Sequence, residues 1–149
     1  MKKATIFDIA KYILQKKGEM TTMKLQRLCY YAQVWSLAWN EVPLFDEDFE
    51  AWSNGPVCPQ LFAKHKGTFL VNASLFKDRE DYPFGESQIE TLDSVIEYYG
   101  DREPWWLNEL THLEFPWKNA RSGIPNGEPC SNIIEKESMQ LYYAGLQEN

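Results

Sequence analysis

The stretch from Thr22 to Trp39 constrains the fold more than any other part of the chain. Leu25, Leu28, Cys29, Ala32, Trp35 and Trp39 recur at helical spacing, and Tyr31, Val34 and Leu37 widen that stripe sideways. A helix apolar over so much of its circumference has little face to give to water and must be surrounded by the rest of the chain. The expected fold is therefore mainly α: a single compact helical domain with a central apolar helix and a short extended or hairpin element. Leu28, Ala32, Trp35, Ile13 and Trp106 should be mostly buried in it. The length of 149 residues suits one domain over 1–149 with one core.

Other helices read from the same periodicity. Ile6, Ile9, Ala10, Ile13 and Leu14 make a one-sided helix from Thr5 to Lys17, capped by Thr5 and stopped by Gly18. After Pro43, Phe49 and Ala51 alternate with Glu50 and Trp52 as in a short extended segment. Asn54-Gly55-Pro56 is a tight turn with positive φ expected at Gly55, leading into a short helix over 57–66 that Gly67 ends. Residues 68–84 are the least readable, "TFLVNASLF" fitting a hairpin arm and "KDREDYPFG" a loop. Ser87 and Glu90 form a capping box for a helix on Ile89, Leu92, Ile96 and Tyr99 that Gly100 ends. Pro104 opens a helix with Trp106, Leu107, Leu110 and Leu113 on one face. Pro116 restarts a short turn through Arg121, "SGIPNGEP" is loop, and a last helix runs from about Glu135 to Leu146 on Met139, Tyr142, Tyr143 and Leu146.

Charge is unevenly spread. The net value is −7, yet residues 1–27 hold seven Lys/Arg against two acidic residues, a local +5 that leaves the remainder at −12. An acidic body disfavours non-specific nucleic-acid binding and steers basic partners, whereas the basic end can touch phosphate or an acidic protein. Solvated faces of amphipathic helices explain the basic cluster more simply. No apolar run approaches a membrane span, and "MKKATIFDIAKYIL" breaks its apolar pattern with charge, so neither a membrane segment nor a signal peptide is expected and the location expected is cytoplasmic. Cys29, Cys58 and Cys130 are odd in number and in no C-x-x-C pair, which suits small buried hydrophobes better than disulfides or zinc.

Motifs for catalysis are nearly absent. His112 lies in "LNELTHLEFPW" with Glu109 and Glu114 near enough in sequence to orient it, but no nucleophile or oxyanion hole is legible, and a histidine by a helix end more often caps carbonyls or meets a carboxylate. His65, His112 and the cysteines show no metal-ligand spacing. Glu41, Asp46, Glu47, Asp48 and Glu50 form an acidic cluster without the glycine-centred loop of calcium sites, so no metal and no cofactor is expected. Trp52 beside the Asn54 turn reads equally as a core anchor or as a partner hot spot.

Two blocks then carry a resemblance. Lys24 to Trp35 fits K-L-Q-K-L-x-Y-Y-A-Q-x-W, through Lys24, Leu25, Gln26, Tyr30, Tyr31 and Gln33; Pro43 to Asp46 fits P-L-F-x-E/D; Glu50 to Pro59 fits E-A-W-x-x-G-P-V-x-P, through Gly55 and Pro56. "LNELTHLEFPWKNAR" is similar to L-S-x-L-T-H-x-E-x-P-W-x-x-A-R, through His112, Glu114, Pro116 and Trp117, and Ile133 or Ile134 with Tyr142-Tyr143 fits a C-terminal pattern. The chain resembles, over nearly its whole length, the Panacea domain family of SocA-like antitoxins and phage-associated proteins. That resemblance implies a helical antitoxin of a bacterial or prophage two-gene system that neutralises a toxin protein by direct binding, or an adaptor delivering the toxin to a protease. An enzyme using His112 with a carboxylate is the weaker alternative. Members that bind DNA carry an added helix-turn-helix or zinc ribbon that has no counterpart here, so DNA is not an expected partner, and a homo-oligomer stays open. The expected contact surface is Asp46, Glu47, Asp48, Glu50, Trp52 and Asn54, an acidic lid able to mimic the phosphates of a toxin's substrate, with the basic N-terminal helix as its competitor. The motif residues are expected to serve structure.

Overall fold

The computed structural model describes residues 2–147, so Met1 and residues 148–149 of the expected domain and its basic end lie outside the described residues. The fold is a compact, mainly α domain. Helix α1 (Ile6–Lys17) is followed by β1 (Met20–Thr21), the long helix α2 (Thr22–Asn40), β2 (Glu50–Trp52), β3 (Gly55–Val57), α3 (Pro59–His65), β4 (Leu70–Val71), a 3-10 turn over Ala73–Phe76, and then α4 (Glu86–Tyr99), α5 (Pro104–Leu113), α6 (Phe115–Arg121) and α7 (Lys136–Gln147). Helix α2 packs against α1, α4, α5 and α7 and against β3. Every residue from Leu25 to Val34 is buried, as a helix at the centre of a domain requires.

Caps and stops follow local chemistry. The Thr5 N–H donates to Asp8 Oδ2 at 2.8 Å at the start of α1, and Gly18 takes φ +88 at its end. Thr21 Oγ1 accepts from the Lys24 N–H at 3.1 Å and starts α2. Pro104 and Pro116 sit in the first turns of α5 and α6, where a missing N–H costs nothing.

Several expectations need correction. The expected turn into a helix is a β-hairpin: β2 and β3 pair antiparallel with Trp52 opposite Gly55, and α3 begins only after Cys58. In the least readable stretch, 68–84, the extended arm expected of "TFLVNASLF" is present as β4, but it pairs antiparallel with the distant β1, Met20 opposite Val71, and not within a hairpin. Helix α4 starts at Glu86, because the Gly85 N–H donates to Gln88 Oε1 at 2.8 Å and closes the cap there rather than at Ser87 and Glu90. Its buried face is Thr91, Leu92, Val95 and Tyr99, leaving Ile89 exposed. Leu113 is exposed because Glu114, in extended conformation, breaks the helix beside it. Of the expected core, Leu28, Ala32 and Ile13 are fully buried, and Trp35 and Trp106 are mostly buried too, packed against the core where they border an open cleft. Cys29 and Cys58 are buried, whereas Cys130 is half-buried beside the loop before α7.

Candidate functional site

Both motif blocks meet at the β2–β3 hairpin. A two-stranded hairpin leaves outward carbonyls without ladder partners, and here side chains supply them. Arg121 Nη1 donates to Ala51 O at 2.9 Å and Trp117 Nε1 to Trp52 O at 2.9 Å. His112 Nε2 meets Ser53 O at 3.0 Å, and its Nδ1 meets Asn108 O at 2.7 Å. Arg27 donates to Asn54 O and Pro56 O and, at 3.1 Å, to Asn108 Oδ1. Burial pulls the Arg27 guanidinium down to about 10, still charged at neutral pH. Gly55 has φ +123, and a Cβ there would stand 2.5 Å from Arg27 Nη2.

The two glutamines of α2 hold loops as a peptide group would. Gln26 Oε1 accepts the Cys58 N–H at 2.9 Å while its Nε2 donates to Cys58 O at 3.2 Å and to His65 Nε2 at 3.1 Å. Gln33 accepts the Leu44 N–H at 2.7 Å and donates to Phe45 O at 2.8 Å. Lys24, earlier in the same motif, is half-buried, and burial lowers its pKa. Gln26, Arg27, Gln33, His112 and Trp117 are thus all engaged in hydrogen bonds within the fold, with Gly55 and Pro56 buried among them.

Glu114 opens a different region. It is only 6% exposed, and its Oε1 accepts from Tyr31 Oη at 2.7 Å and from Tyr143 Oη at 2.8 Å. Burial raises its carboxyl to about 7 against the pull of the two phenols, and no basic side chain forms an ion pair with it among the described residues. Burial, then the nearby Glu114, hold the Tyr31 phenol well above its ordinary value. Tyr31 stacks on Tyr99 at 4.2 Å between ring centres, Trp35 Nε1 donates to Tyr99 Oη at 2.8 Å, and Trp35 stacks on Trp39 at 5.1 Å. Above them lies an open cleft of about 590 Å³ between α2, α4, α5 and α7, lined by Trp35, Trp39, Tyr98, Tyr99 and Trp106 with Glu114 at its base.

The acidic residues of the expected lid have partners within the fold. Asp46 pairs with Lys3 at 3.6 Å with both side chains exposed, Asp48 pairs with Lys136 at 2.8 Å, Glu47 Oε1 accepts the Ile6 N–H at 3.1 Å, and Glu50 Oε1 accepts from Trp52 Nε1 at 2.8 Å. Trp52 is half-buried and borders two grooves, one beside Cys130 and one beside His65, while Asn54 is exposed at the hairpin tip. The N-terminal cations are similarly engaged: Lys11 with Asp81 at 2.9 Å, Lys17 with Asp101, and Arg27 inside the core. No hydrogen bond joins His112 to Glu109 or Glu114, since both ring nitrogens are spent on carbonyls. Among the described residues no three His, Cys, Asp or Glu are grouped to hold a metal, and no helix is long and apolar enough to cross a membrane. Sequence reasoning missed the cleft; its signal was the Trp35/Trp39 pair one turn apart with Tyr98-Tyr99.

Fold and site together define a helical domain whose motif residues clasp a hairpin and whose open face is aromatic over a buried carboxyl group. The family model for Antitoxin SocA-like, Panacea domain matches residues 25–118, well over half of the chain. The chain belongs to that family, and its role is antitoxin-like. No curated protein and no solved structure matches it.

Proposed function

We propose that the protein is the antitoxin of a bacterial or prophage toxin-antitoxin pair and neutralises its toxin by direct contact, without catalysis of its own. The observation that carries this reading is the aromatic cleft, where Trp39 and Tyr98 are exposed at the rim and Trp35 and Trp106 are partly buried within. Large rings left together in water are the usual anchors of a protein interface, and an interface of about 1,600 Å² is within reach of a domain this size. The net charge of −7 favours a basic partner by steering. Family membership supplies the kind of partner, a toxin.

A second contact surface, Asp46, Glu47, Asp48, Glu50, Trp52 and Asn54, is favoured by the half-exposed Trp52 between its two grooves. Co-expression with the toxin of the adjacent gene tests both. Wild type should restore growth, co-purify with the toxin and leave its level unchanged. Tyr98→Ala should lose rescue and Trp52→Ala should keep it; the reverse result moves the contact to the hairpin. Recovery of growth with disappearance of the toxin replaces direct neutralisation by delivery to a protease.

A further inference from the structure

We infer that the aromatic cleft is a socket for a basic side chain, arginine or lysine, presented by the toxin. This rests on the direct-binding reading and adds the chemistry of the contact. The walls are rings of Trp35, Trp39, Tyr98 and Trp106, whose faces attract cations. The chain's own Arg102 already lies over two of them, 4.5 Å from the Trp106 ring centre and 5.5 Å from that of Tyr98, at the rim. At the base, Glu114 spends Oε1 on two phenols, and no described donor reaches Oε2. A carboxyl group nine-tenths buried without a counter-ion is costly, and a cation entering the cleft supplies the missing partner. An aromatic cage over a carboxylate selects a cation over a neutral group of the same shape. A cleft of about 590 Å³ has room for a whole arginine side chain.

The test uses the full chain and a probe independent of any toxin. N-acetyl-arginine methylamide is titrated against isotope-labelled protein while the indole N–H signals are followed, with the citrulline analogue as the neutral control. Saturable shifts at Trp35, Trp39 and Trp106 are expected, with Trp52, Trp105 and Trp117 unmoved and affinity for citrulline at least tenfold weaker. Glu114→Gln should weaken arginine binding at least tenfold. Trp39→Ala, at the exposed rim, should weaken it too. Absence of saturable shifts at the cleft indoles, or equal affinity for citrulline, overturns the socket. If the socket binds arginine but Trp39→Ala still protects cells fully against the toxin, the toxin is not its occupant and the inference fails there. Failure of wild type to protect cells overturns direct binding instead, and the titration remains readable without it.

Discussion

At the residue scale, Gly55 and Arg27 are one device. The positive φ of Gly55 lets its backbone turn, and the missing Cβ leaves room for a guanidinium that binds the carbonyls on either side, Asn54 O and Pro56 O. Gly55→Ala therefore meets two penalties, backbone strain of about 1 kcal/mol or more and displacement of a buried charge. In an Arg27→Met background the second vanishes, so the same substitution should cost less there than in wild type, by a double-mutant cycle in urea. Equal costs in both backgrounds would leave φ alone responsible. The turn dipeptide pointed to the φ; nothing in the sequence paired it with Arg27, because that contact joins residues far apart in the chain.

Elements are held here less by apolar stripes than by side chains that replace peptide groups. Helix α2 is buried on its polar positions too, since Gln26, Gln33 and Ser36 each serve a loop backbone, the last through Ser36 Oγ donating to Val42 O at 2.7 Å. Periodicity located α2 to within a residue of its ends, yet it assigned no partner to these polar positions. Gln26→Met keeps size and helix propensity while orphaning the Cys58 N–H and C=O, so it should cost about 2 kcal/mol or more. A lowered urea midpoint with faster amide exchange at Cys58 is the expected result; an unchanged Cys58 amide would mean the loop finds other partners. The hairpin was legible as an extended segment and a turn, but its short strands carry too few alternating residues to declare β3.

For the whole molecule, two buried groups give stability opposite dependences on pH. Glu114 has its carboxyl raised from 4.5 to about 7 by burial, so the folded state holds the proton more tightly than the unfolded one. Its contribution is complete below the unfolded value and is lost as pH rises through about 7. His65 is lowered by burial, so its contribution is present above its ordinary 6.5 and is lost as pH falls below that value. His65 is common to wild type and Glu114→Gln and cancels in their difference. Between pH 5 and pH 8 that difference should move against wild type by on the order of 3 kcal/mol, read from urea unfolding at each pH. A difference independent of pH would assign the raised carboxyl elsewhere.

The central helix, the two helices that open on Pro104 and Pro116, the positive φ of Gly55 and the family were legible, because spacing, caps and motif residues are local or linear facts. The contacts those motif residues make were not. His112, Trp117 and Arg121 reach the hairpin carbonyls from about 60 to 70 residues away, and Tyr143 reaches Glu114 across the α6–α7 loop. The ion pairs of the acidic step were not legible because its counter-ions, Lys3 and Lys136, lie at opposite ends of the chain. The cleft exists because four helices bring aromatic residues to one place without closing over them. Charge pairing and cavity shape are sums over distant residues, and a linear pattern holds no record of which of them meet.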